Sequence, residues 1–233
     1  MKVRYLGHSC VEIIGEQHIL IDPDFTREPL PDVDYICLSH AHNDHIGRIT
    51  EVPTGLILAS EDVCLIVAER GIPKERLRPV NPGERIANIR VLLGFSPVNS
   101  ALYVFASLVV KQRLPEPAGS PRSFLIEDRV SLLHIGDANE ATLDISPDIL
   151  CLPWRSAPIR SEVYQKSLLA LVDQFNPRYI LPIHHDLGRT QADPHEIRKH
   201  TDIPVLLGND SFIFKGQNLV TPPAEEHGAI STG

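Results

Sequence analysis

The segment Ser39-His40-Ala41-His42-Asn43-Asp44-His45 decides how this chain is read. It follows the apolar run Asp34-Tyr35-Ile36-Cys37-Leu38, so it starts at the C-terminal end of a predicted strand. Side chains alternate across a strand, and His40 and His42 therefore point the same way. The chain must then turn so that Asp44 and His45 come round from a loop or the first turn of a helix. Two such pairs can line two adjacent metal positions, and imidazole together with carboxylate suits Zn²⁺, Fe or Mn. An isolated histidine is usually a satisfied structural residue. Three histidines and an aspartate in the order HxHxDH are hard to explain that way.

Working outward, Val3 to Leu6, Cys10 to Ile14 and His18 to Ile21 read as short strands, with Gly15-Glu16 turning the second into the third. The nearly continuous apolar run Tyr35 to Ser39 is expected of a strand covered on both faces. Leu56 to Ala59 is another, and Ser60 then caps a helix over Glu61 to Arg70, stopped by Gly71 and Pro73. Strands are expected at Arg76–Val80, Ile89–Leu93 and Leu102–Val110, and a hairpin at Ser123–Glu127 and Val130–Ile135 around Asp128-Arg129. Ile149–Leu152 precedes the clearest helix, with Ser161 as its cap and Leu168, Leu169, Leu171, Val172 and Phe175 as its apolar stripe. Tyr179–Leu181, Val205–Leu207 and Phe212–Phe214 complete the strands, and Pro194–His200 is a short helix. Both halves place strands first and then alternate strands with helices. This predicts an α+β fold, two sheets face to face with helices outside, a four-layer αββα sandwich.

Length and composition bound the rest. The 233 residues suit one domain, here taken as 1–221, built of two similar halves dividing near 111–121, with 222–233 as a frayed tail. The 42% hydrophobic and 22% charged content is that of a soluble globular protein. Lys plus Arg number 22 against 30 Asp plus Glu, a formal charge of −8 that argues against general affinity for nucleic acid. There is no secretory leader at the N-terminus and no apolar run of membrane-spanning length, so a cytoplasmic protein without a membrane partner is expected. Cys10, Cys37, Cys64 and Cys151 form no CxxC pair and are expected as buried small hydrophobes.

Three further segments each put a potential ligand just after an apolar strand. They are His134-Ile135-Gly136-Asp137, Pro182-Ile183-His184-His185-Asp186 and Gly7-His8-Ser9. Gly136 lets the backbone turn tightly before the carboxylate, and Asp137 has two oxygens with which to bridge two cations. With HxHxDH, and with Ile21-Asp22-Pro23, these pieces resemble the metallo-β-lactamase superfamily over nearly the whole chain. Within it they look most like the L-ascorbate-6-phosphate lactonase-like metal-dependent hydrolases. That resemblance implies that His40 and His42 hold a first metal, that Asp44, His45 and His184 hold a second, and that Asp137 bridges. It implies one or two divalent ions, Zn first and Mn or Fe as alternatives.

The departures matter as much. Relatives carry a further first-site histidine around Val91–Ser100, where this chain has none. Water, Ser96 or Asn99 would have to replace it, and neutral oxygen donors bind Zn²⁺ less well than imidazole. A weakened first site follows, or a mononuclear enzyme using Asp44, His45, Asp137 and His184. At Leu152-Pro153-Trp154-Arg155-Ser156-Ala157-Pro158, relatives have a Gly-rich turn. Trp154 and Arg155 are therefore candidates for a reshaped pocket wall, with Trp154 in the core as the alternative. Arg155 and Arg160 are candidates to hold an acidic group, with solvated surface positions as theirs.

A divalent metal lowers the pKa of its water from about 15.7 towards about 7. Asp44 is the expected proton acceptor and His8 a catalytic or supporting neighbour. The expected function is hydrolysis of an ester-like bond, whether lactone, phosphodiester or amide, in a small anionic metabolite. The alternatives are redox or other non-hydrolytic chemistry at iron or manganese on the same scaffold, and a degenerate metal-binding domain without catalysis. The expected partner is a small-molecule substrate, and a homo-oligomer stays open. His42→Ala and Asp137→Ala should each abolish activity, while His195→Ala and His227→Ala leave it intact. His185 is the understudy of His184, because adjacent residues face opposite ways.

Overall fold

Alternating burial along the strands sorts the apolar side chains into three separate cores. The computed structural model describes residues 1–95, 119–156 and 161–220, apart from the side chains of 161 and 189. The first strands are β1 (Lys2–Gly7), β2 (Cys10–Ile14), β3 (His18–Ile21), β4 (Tyr35–Cys37), β5 (Leu56–Ala59) and β6 (Leu77–Pro79). After them come β7 (Arg85–Ile86), β8 (Ile89–Leu93), β9 (Arg122–Glu127), β10 (Ser131–His134), β11 (Ile149–Pro153) and β12 (Tyr179–Ile183). β13 (Phe212–Lys215) and β14 (Asn218–Leu219) end the described chain.

Among the described residues, one sheet runs β14-β13-β1-β2-β3-β4-β5-β6 and the other β12-β11-β10-β9-β8-β7. β1 to β3 are antiparallel and β3 to β6 parallel. The second sheet has the same division, antiparallel from β7 to β10 and parallel from β10 to β12. The chain passes from the first sheet to the second between Pro79 and Arg85, upstream of the tract 111–121 where the sequence placed the division between halves.

Val11, Ile13, Ile19, Ile21, Cys37 and Leu58 from the first sheet pack on Ile89, Val91, Phe124, Ile126, Cys151 and Leu181 from the second. The residues between them in sequence face outward. Leu20, Ile36, Leu38 and Ile57 meet Val63, Cys64 and Val67 of the helix Glu61–Glu69. Leu133, Leu150, Leu152 and Ile180 meet Leu168, Leu171, Val172 and Phe175 of the helix Ser161–Phe175. Two sheets face to face with a helix layer on each outer side make the expected αββα sandwich. All four cysteines are free and buried.

Local differences from the sequence reading are small. Ser60 occupies the N-cap position of its helix without a side-chain cap bond. Val205–Leu207 forms no strand and contributes an isolated bridge from Val205 to Ile180. The predicted strand Leu102–Val110 lies outside the described residues. No described helix is long and apolar enough to cross a membrane.

Candidate metal centre

The ends of five strands at one rim of the sandwich carry the site. β3 and β4 pair in parallel with Ile21 opposite Cys37, so Asp22 and Ser39 leave their strands close together. Asp22 is fully buried in a left-handed conformation (φ 49°). Its carboxylate accepts hydrogen bonds from the Ser39 N–H at 2.7 Å and from Ser39 Oγ at 2.6 Å, and lies 2.7 Å from His45 Nδ1. The bond to Nδ1 fixes the His45 ring and turns Nε2 toward Asp137 Oδ1, 3.2 Å away. His45 and Asp44 come round on the short helix Asn43–Ile46, whose N-cap is His42.

On the other sheet, β10 to β12 pair in parallel and deliver Asp137, Trp154-Arg155 and His184 just beyond their ends. Gly136 turns the chain before Asp137 at φ +58°, where a Cβ would meet Ser39 at 3.0 Å. His184 (φ 62°) is locked by its N–H donating to the His8 carbonyl at 2.5 Å. Its Nε2 lies 3.0 Å from Asp137 Oδ1 and its Nδ1 3.9 Å from Asp44 Oδ2. His8, Asp22 and His184 are all non-glycine residues at positive φ, a conformation costing about 1–3 kcal/mol that survives where surrounding contacts dictate it.

The donor atoms fit a cation. Among the described residues, ligand atoms of His40, His45 and Asp137, and of Asp44, His45 and His184, lie within 4.8 Å of one another. His45 Nε2, Asp137 Oδ1 and both ring nitrogens of His184 are buried without a hydrogen-bond partner. Buried polar atoms are normally paired, and leaving one bare costs about 1–3 kcal/mol. Imidazole nitrogens and a carboxylate oxygen converging without partners are the donor set of Zn²⁺, Mn or Fe.

The charges agree. Burial opposes ionisation of Asp22, but His45 beside it outweighs that and holds the carboxyl at about 2. Burial would depress His45, yet Asp22 and Asp137 raise it to about 10. A positive charge is therefore favoured between these carboxylates. Burial and the neighbouring His45 hold His40 well below the usual imidazole range.

Each residue expected at the site can now be placed. His40, Asp44, His45, Asp137 and His184 come together. His42 sits beside them with Nδ1 3.0 Å from His40 Nε2, but belongs to neither group of converging ligand atoms. The first group thus contains His45 where the resemblance implied His42. His185 faces away and packs on Tyr5, ring centroids 5.1 Å apart. His134 is buried, with Nε2 3.0 Å from the Ser9 carbonyl and Nδ1 accepting from the Gly136 N–H. Ser96, Asn99, Arg160 and His227 lie outside the described residues, and His195 is exposed.

Two expectations change. Trp154 is not a pocket wall: it is 1% exposed in the core beneath the helix Ser161–Phe175, and its indole N–H donates to the Asp193 carbonyl. Trp154→Ala is expected to cost about 3–5 kcal/mol in denaturant unfolding. Arg155 does not reach outward for an acidic ligand, because its Nη2 donates to Asp137 Oδ2 at 3.0 Å. Asp22 is the residue that sequence reasoning missed. It was visible only as part of Ile21-Asp22-Pro23, with no role attached.

His8 stands at the rim, its Nδ1 2.8 Å from Asp24 Oδ2. That hydrogen bond, stronger than the opposing effect of burial, raises its pKa. A raised histidine stabilises the fold fully below its unfolded value of about 6.5, and the contribution fades as pH rises through the folded value. Asp24→Asn should remove this dependence, so that its stability difference from the parent is larger at pH 5.5 than at pH 9 in urea unfolding.

Comparison with known proteins identifies the family of the chain. Residues 2–184 match the family model for the β-lactamase superfamily domain. A UPF0173 metal-dependent hydrolase of Thermococcus onnurineus is 30% identical over 97% of this chain and 98% of its own length. Another from Methanobrevibacter smithii is 31% identical over 94% and 99%. Among solved structures, the metallo-hydrolase Igni18 of Ignicoccus hospitalis superposes with a TM-score of 0.67 at 18% identity, covering 92% of this chain and 99% of that one. The chain therefore belongs to the β-lactamase superfamily, among its metal-dependent hydrolases.

Proposed function

We propose that this enzyme cleaves an ester-like bond of a small metabolite, a lactone, phosphodiester or amide, at a centre held by Asp44, His45, Asp137 and His184. The observation that carries this reading is the convergence of His45 Nε2, Asp137 Oδ1 and the His184 nitrogens, buried and without hydrogen-bond partners. When bound, a divalent ion would activate water and polarise the substrate oxygen. Asp22 fixes the His45 tautomer, and the His8 carbonyl fixes the backbone of His184. Asp44, held through its carbonyl by Ser9 Oγ, is partly exposed and is the group to take a proton from attacking water. His8 has Nδ1 committed to Asp24, which leaves Nε2 to give a proton to the leaving group. An acidic substrate group loses its first-named support, since Arg155 is paired with Asp137.

The test is a panel of lactones, phosphodiesters and amides assayed with Zn²⁺-, Mn²⁺- and Fe²⁺-loaded protein. Turnover of one class, lost on chelation and restored by the metal, is expected. Absence of turnover across the panel with every metal would contradict hydrolysis of these bonds.

A further inference from the structure

The two oxygens of Asp137 have unlike surroundings. Oδ1 faces His45 and His184 and has no hydrogen-bond partner. Oδ2 accepts from Arg155 and lies 3.8 Å from His40 Nε2. The guanidinium is steadied from behind, where Nε donates to Tyr164 Oη at 3.2 Å and the group lies 5.7 Å from the Tyr164 ring centroid. A carboxylate that bridges two ions by giving one oxygen to each needs both oxygens free. Here one of them is taken by a fixed cation of the chain.

The histidines tell the same story. His40 has Nδ1 2.9 Å from Ser39 Oγ and Nε2 3.0 Å from His42 Nδ1, so both nitrogens have partners inside the protein. Among the described residues, the buried side-chain nitrogens without a partner belong to His45 and His184, whose Nε2 atoms face Oδ1 of Asp137. Charge points in the same direction. The carboxylates of Asp22, Asp44 and Asp137 are balanced by Arg155 and a single divalent ion, and a second ion would leave the buried cluster with excess positive charge.

We propose that Arg155 stands in for a second cation on the outer oxygen of Asp137 and so limits the centre to one divalent ion, held by Asp44, His45, Asp137 and His184. This rests on reading the cluster as a metal centre. It makes the histidine missing from Val91–Ser100 dispensable, because the outer oxygen of Asp137, which a second ion would need, is already paired with an arginine. Arg155 is a positioning residue, acting through Asp137.

The experiment counts metal in the full chain. Protein stripped with chelator is reloaded with excess Zn²⁺, dialysed and analysed by mass spectrometry of the metal against protein concentration. The parent should retain a single equivalent, and Arg155→Lys, which keeps the charge, should match it. Arg155→Met should gain a second equivalent. His42→Ala should keep its one ion, because His42 lies outside the single site. Two equivalents in the parent, one in folded Arg155→Met, or loss of the ion in His42→Ala would each overturn the proposal. The parent count and the His42→Ala result decide it even if Arg155→Met does not fold. No retained metal in the parent would instead overturn the metal-centre reading itself.

Discussion

Asp137→Ala is expected to abolish hydrolysis, lowering kcat/KM by more than about 100-fold and removing the bound metal with it. Losing a group that only orients a metal ligand costs about 10–100-fold, and Asp137 does more than orient. Its Oδ1 is approached by both His45 Nε2 and His184 Nε2, at 3.2 and 3.0 Å. Its removal also strips Arg155 of its carboxylate partner and leaves that guanidinium charge near His184 uncompensated. Repulsion would then oppose any ion entering. Kinetics on the substrate found by the panel, with metal analysis of the same sample, checks both effects. Full activity in a folded variant would remove Asp137 from the centre.

Asp22→Ala is expected to damage both the fold and the site. The carboxylate is fully buried and serves the Ser39 N–H, Ser39 Oγ and His45 Nδ1 together. Breaking a buried charged pair by deleting one partner costs about 3–5 kcal/mol. In a chain of this size that corresponds to a fall in Tm of about 6–20 °C. Freed from Asp22, His45 can rotate, and metal affinity should fall by about 10–100-fold. Calorimetry and a zinc titration measure the two losses separately. Asp22→Asn keeps the shape but not the charge, so it should recover part of the stability and little of the affinity. Unchanged stability in the alanine variant would mean that the buried network is not needed to hold the rim.

The sequence disclosed the contiguous part of the centre and hid the part made by register. His40, His42, Asp44 and His45 announce themselves because four ligating side chains in six residues have no other ready explanation. Asp137 and His184 were legible because each follows an apolar strand. Asp22 gave no such signal: one aspartate after a strand means little until the parallel pairing of β3 with β4 brings it to Ser39. The pairing of Arg155 with Asp137 likewise depends on β10 lying beside β11, with His134 opposite Cys151. Without that register, an arginine after a strand reads as a substrate-binding group. Trp154 misled for a related reason. Whether it faces pocket or core depends on which side of β11 it leaves, and it leaves toward the helix Ser161–Phe175.

The layers were easier to read than the site because burial on both faces leaves continuous apolar strands such as Ile149 to Leu152. Short edge elements were not. β14 spans only Asn218–Leu219, too short for apolar alternation to register, while the apolar run Val205–Leu207 reads as a strand and makes only a lone bridge from Val205 to Ile180.

The most direct test of the metal centre is a crystal of the zinc-loaded protein with anomalous scattering recorded at the zinc edge. One anomalous peak is predicted, within coordination distance of Asp44, His45, Asp137 and His184, at about 2.0–2.2 Å from their ligand atoms. A peak bound elsewhere on the chain, with those four side chains making no contact to it, would contradict the account.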